Sequence, residues 1–130
     1  MSAGADMRTP RARVRGLGSA RSGTEHFWHH RLSAVALALL LPFFIVPFVS
    51  ALGRPWDEVV AVYKSPFNAI VAAVFLLVVF QHLKMGLQVV IEDYVHAPAW
   101  RTGSLIAVKL IGTLLGFAAA FSVAMIAFSV

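Results

Sequence analysis

A chain of 130 residues has room for one domain. It is 59% hydrophobic and 13% charged, with a mean hydropathy of +0.79, where a water-soluble domain carries roughly 25% charged residues; a soluble globule and a disordered chain are both excluded. The net charge is +5 but the basic residues crowd toward the N-terminus, which suits membrane orientation and not a nucleic-acid-binding face, and the lack of cysteine removes disulfides, thiolate nucleophiles and Cys-ligated metal centres.

Residues 1–22 read as a flexible basic tail. Arg8, Arg11, Arg13, Arg15 and Arg21 face only Asp6 there, and Gly16, Gly18, Ser19, Ser22 and Gly23 break any helical run. An Arg-rich, acid-poor tail also has the composition of a transit peptide, whereas the apolar stretch that follows is too long and too late for a cleaved secretory signal. Three apolar segments then run over about 32–52, 67–91 and 104–130. Each reaches the roughly 20 residues that cross a hydrocarbon core, and backbone in lipid must satisfy its own hydrogen bonds, so the predicted fold is all-α with three transmembrane helices. Pro42 and Pro47 are expected to kink the first helix or thin its ladder, and Pro66 stands where a first-turn proline is tolerated. Trp56 suits the membrane–water interface, and residues 57–64 are expected to form a short interfacial helix.

Charge bias orients the chain. The tail together with Arg31, and the second connection with Arg101, fall on one side, with Lys109 able to snorkel back to it; the other side shows only Arg54 and Lys64. The N-terminus is therefore expected in the cytoplasm and the C-terminus in the periplasm.

The second segment alone is rich in polar groups, with Asn68, Gln81, His82, Lys84, Gly86 and Gln88. His82 lies about nine residues inside its end, roughly 14 Å deep at 1.5 Å per residue, near the midplane. His82, Gly86, Val89 and Asp93 share one helix face, so a flat macrocycle bound at His82 would find bare backbone at Gly86. An imidazole hydrogen-bonded between helices, with Gly86 allowing close packing, accounts for the same residues equally well. His26, His29, His30 and His96 are all expected at the basic-side interface, so a second ligand for a six-coordinate haem would come from another subunit. Asp93-Tyr94 closes the segment at headgroup depth: the phenol suits a quinone carbonyl with Asp93 beside it, while composition alone favours an aromatic-belt tyrosine beside solvated acids. Arg31 suits a haem propionate or lipid phosphate. Lys84 has two open readings, pairing with a partner subunit or with a propionate.

The stretch Thr24-Glu25-His26-Phe27-Trp28-His29-His30-Arg31-Leu32, followed by His82-x-x-x-Gly86-x-x-Val89-x-x-x-Asp93-Tyr94, resembles the hydrophobic membrane anchor (D chain, the cytochrome b small-subunit family) of alphaproteobacterial succinate dehydrogenase. The resemblance covers nearly all of the chain from about Arg8. It implies half of a heterodimeric anchor bundle in the bacterial inner membrane, paired with a second cytochrome b anchor and holding a flavoprotein and an iron–sulfur subunit. It also implies haem b ligated by His82 and by a partner histidine, ubiquinone hydrogen-bonded by Tyr94 beside Asp93, and Arg31 near the haem propionates. Where some relatives carry a histidine six residues before that arginine, this chain has Glu25. A fumarate-reducing relative running the couple in reverse, and a non-redox membrane scaffold in which His82 only packs, are the alternative readings.

Overall fold

The computed structural model describes residues 9–11 and 23–129. Nearly all of the 1–22 tail, including the transit-peptide reading, thus lies outside the described residues. Three long helices and one short one make up the rest: α1 (Gly23–Ala51), α2 (Trp56–Tyr63), α3 (Pro66–Tyr94) and α4 (Pro98–Ala127), with no strand among the described residues. The long helices have 29, 29 and 30 residues. At 1.5 Å per residue each is about 44 Å long, more than the roughly 30 Å hydrocarbon thickness, so each reaches the headgroup layer or tilts.

The boundaries follow from local chemistry. Pro66 and Pro98 stand at the first turns of α3 and α4, where a missing N–H is harmless. Gly53, with φ 72°, makes the left-handed turn out of α1 that a side chain would resist. Asp57 and Glu58 lie in the first turn of α2, favourable against the positive helix end, and Glu58 also accepts from Arg54 at 2.9 Å. α2 therefore forms close to the expected 57–64. Pro42 and Pro47 do not interrupt α1, which is continuous through both; membrane helices tolerate interior proline because neighbouring groups re-satisfy the freed carbonyls.

α3 is the centre of the bundle. It packs against α1 and against α4, while the backbones of α1 and α4 do not approach each other. On α1 the residues turned inward are His26, His30, Ser33, Leu37, Leu40, Phe44, Pro47 and Ala51; apart from Ala36 the remainder of that helix is exposed. Alternating steps of four and three are the spacing of a knobs-into-holes seam. On α4 the inward residues include Gly112, Gly116 and Ala119, small enough to let α3 come close. A Cβ added at Gly116 would lie 3.1 Å from Phe80 Cβ.

The tightest packing is at the α2 end, where Ala51, Tyr63 and Ala72 gather Phe44, Val59, Val62, Val123 and Ile126 around them. Phe44 stacks on Phe75 with ring centres 4.2 Å apart, and Asn68 Nδ2 donates to Val62 O at 2.9 Å, tying α3 back to α2. Burial in this cluster pushes the Tyr63 phenol above its ordinary pKa. The buried apolar residues are few (Ala51, Tyr63, Val71, Ala72, Phe75 and Met85), while large side chains such as Leu39, Val46, Leu114, Phe117 and Phe121 face outward. So much contiguous apolar surface is suited to lipid and to a partner, not to water.

Candidate functional site

The polar end of the α1 seam meets the polar half of α3. Because α1 begins at Gly23, about nine residues before the apolar run, His26, His30 and Ser33 are helical and continue the same inward stripe as Leu37 and Leu40. Ser33 Oγ lies 2.8 Å from His82 Nδ1 and 2.8 Å from His30 O. The His30 ring rests on the His82 ring, centres 4.4 Å apart and planes 27° from parallel. His30, read from sequence as an interface residue, thus stands level with His82, a contact that the sequence reading did not foresee. That contact does not make it a second axial ligand, since rings in van der Waals contact leave no room between them for a porphyrin.

One turn beyond His82, Gly86 borders open space, and a Cβ built there meets nothing within 4 Å. On the neighbouring face Gln81, Met85 and Gln88 line a trough. One part of it, about 330 Å³, runs between Leu32, Ser33 and Ala36 of α1 and Leu77 and Val78 of α3. A second part, about 360 Å³, is bordered by Glu25, His26 and His29. His26 Nε2 is buried beside it with no hydrogen-bond partner among the described residues. Glu25 and His29 approach to 3.7 Å on the exposed side of the same turns.

The other expected residues lie apart from this cluster. Tyr94 is 77% exposed at the end of α3, 12 residues from His82 and so about 18 Å along the axis. Asp93 and the Tyr94 phenol make no side-chain hydrogen bond to each other among the described residues, as expected for consecutive helical positions 100° apart; the Tyr94 carbonyl faces His96 Nδ1 at 3.0 Å. Arg31 is exposed, its guanidinium 5.0 Å above the Phe27 ring, with no carboxylate partner among the described residues. Lys84 finds a partner within its own chain: Nζ donates to Thr113 Oγ1 at 2.8 Å, and its stem crosses Gly112, where an added Cβ would lie 2.5 Å from Lys84 Cγ.

Sequence reasoning missed Ser33, the contact of His30 with His82, and the Gly112–Thr113 seat for Lys84. A signal for the first two was present: the four-three spacing of Leu37, Leu40, Phe44, Pro47 and Ala51 extends back through Ser33, His30 and His26.

The profile of the succinate dehydrogenase/fumarate reductase transmembrane subunit family matches residues 5–126. The chain belongs to that family. The match takes in all three long helices and every candidate residue named above, so the family assignment and the three spans together make this an integral membrane protein. Among its relatives, the succinate dehydrogenase hydrophobic membrane anchor subunit of Paracoccus denitrificans is 40% identical over 66% of this chain and 67% of that one. The subunit of the same name from Rickettsia bellii is 30% identical over 84% of this chain and 87% of its own. The succinate dehydrogenase membrane anchor subunit of Reclinomonas americana is 27% identical over 70% and 78%. No solved structure matches the chain.

Proposed function

We propose that the chain is the small hydrophobic anchor of a bacterial succinate dehydrogenase complex. In this reading it sits in the inner membrane beside a second cytochrome b anchor subunit and holds the flavoprotein and iron–sulfur subunits at the cytoplasmic face. His82 supplies one axial ligand of haem b, the partner anchor the other, and Tyr94 meets ubiquinone at headgroup depth. The observation that carries it is His82 itself: a half-buried imidazole well inside α3, one nitrogen held by Ser33, one turn from the open backbone at Gly86.

The residues fit such a group. Among the described residues no three His, Asp or Glu side chains converge to hold a bare metal ion. A macrocycle brings four nitrogens of its own, so His82 with one ligand from a partner subunit would be enough to hold its iron. When bound, haem b supplies a one-electron store close to the quinone. His82 fixes one side of it, and Gly86 presents no side chain where a flat ring would lie. Arg31, exposed and without a carboxylate partner among the described residues, has guanidinium donors that would suit a propionate. At the end of α3 the Tyr94 phenol donates to a quinone carbonyl, and Asp93 offers a carboxylate where protons enter from water.

The test is an optical one on the complex purified in mild detergent. His82→Ala and His82→Tyr are expected to abolish or strongly alter the reduced-minus-oxidised haem spectrum. The Cβ that Gly86→Leu adds meets nothing of its own chain within 4 Å, so the variant is expected to lower haem content while the anchor still assembles. An unchanged spectrum in all three variants would remove His82 from the iron.

A further inference from the structure

We propose that Ser33 is a positioning residue for His82: it fixes the imidazole as the Nδ1–H tautomer and so leaves Nε2 bare to face iron. The proposal rests on the reading of His82 as a haem ligand.

Hydrogen-bond counting assigns the tautomer. A hydroxyl has one proton and two lone pairs. Ser33 Oγ stands 2.8 Å from His30 O, which can only accept, and 2.8 Å from His82 Nδ1. With its one proton directed at the carbonyl, the oxygen must accept from the ring, so the hydrogen is on Nδ1. A neutral imidazole has one N–H, and Nε2 is then the nitrogen with a free pair, the form in which histidine takes a metal.

Comparison with the other serines separates this role from ordinary membrane-helix behaviour. Ser50, Ser122 and Ser129 also return their protons to carbonyls three or four residues earlier, each at 2.8 Å. Such bonds simply satisfy a hydroxyl in lipid. Ser33 alone among the described serines adds a ring nitrogen. Its position is also held from two sides, because His30 provides both the carbonyl that orients the hydroxyl and the ring that flanks His82. One turn of α1 thus limits both the flip and the tilt of the imidazole.

The consequence for a bound metal is electronic as well as geometric. A ligating histidine that donates its second N–H to a fixed acceptor becomes more basic, and in low-dielectric surroundings that bond is strengthened. A more basic ligand favours ferric over ferrous iron, so Ser33 holds the haem potential down.

The experiment uses the whole complex in mild detergent, with haem per flavin, a redox titration of the haem and low-temperature electron paramagnetic resonance of the oxidised form. Ser33→Ala is expected to retain haem, raise its midpoint potential and move the low-spin signal, while Ser33→Thr restores both values. Ser33→Cys keeps the bulk with a weak acceptor and is expected to shift in the same direction as alanine; it decides the matter if the alanine variant does not assemble. Potential and signal unchanged in Ser33→Ala or Ser33→Cys, with haem present, would overturn the positioning role. So would a threonine variant as altered as alanine, since that marks a packing effect. An unaltered spectrum in His82→Ala is a separate result: it overturns the ligand reading on which this one stands.

Discussion

The Lys84 ammonium, about 15 Å from the end of α3, reaches Thr113 Oγ1 at 2.8 Å with its stem seated on Gly112. A charge at that depth needs a partner, and α4 supplies one at a position where a larger residue would displace the lysine stem. Gly112→Ala is therefore expected to lower the thermal stability of the detergent-solubilised anchor by about 1–2 kcal/mol, by forcing the stem aside and stretching that bond. In a Lys84→Ala background, which removes the stem that the added Cβ would strike, the same substitution is expected to be near neutral. The measurement is a double-mutant cycle on melting midpoints, and a coupling of zero would show that the two residues do not share this contact. At the far end of α3 the 77% exposure of Tyr94 puts its phenol within reach of a headgroup-level ligand. Tyr94→Phe is expected to slow ubiquinone reduction about tenfold or more, in line with a lost hydrogen bond to a reacting oxygen. Succinate oxidation by a soluble dye should be unaffected.

At the scale of elements, the inward stripe of α1 explains both its fit to α3 and its chemical split. From Leu37 to Ala51 the stripe is apolar and packs on residues such as Phe75; from Ser33 back to His26 it is polar and meets His82 and Gln81. One helix is thus a packing surface over its lower half and a site wall over its upper half. α2 ends in the cluster that ties the two long-helix ends together, and the neutral Tyr63 phenol belongs to it. Its raised pKa means that the folded state holds the proton more tightly than the unfolded one. The associated stability is complete below the ordinary tyrosine pKa of about 10 and is lost as pH climbs through the higher folded value. Tyr63→Phe should flatten that alkaline decline in a series of melts above pH 9, and an equally steep decline would place its origin elsewhere.

At the scale of the whole molecule, the six buried apolar residues found among the described residues cannot account for three long helices by internal packing alone. The outer faces are left to lipid and, in the function proposed above, to a second anchor that also supplies the other haem ligand. The charge split between the Arg31–Arg101 side and the Arg54–Lys64 side is the basis on which we propose a cytoplasmic N-terminus and a periplasmic C-terminus. Since the chain has no cysteine of its own, single substitutions report on it cleanly. Asp57→Cys is expected to react with a membrane-impermeant maleimide from the periplasm of intact cells, and Ala99→Cys only after the membrane is opened. The reverse pattern would invert the topology proposed here.

Number and order of the spanning helices were legible in the sequence, because in lipid an apolar run of sufficient length has no stable state but a helix. His82, Gly86 and Tyr94 were legible for the same reason: polar, bare or amphipathic residues stand out against such a run. The start of α1 was less so, since Thr24 to Arg31 is polar enough to read as a connection, and hydropathy does not register a helix that continues past the lipid boundary. Ser33 beside His82, His30 on its ring and Lys84 over Gly112 belong to the tertiary structure alone. Each depends on the register and rotation of one helix against another, which are decided by how side chains interlock across a seam and not by the composition of either strand of sequence.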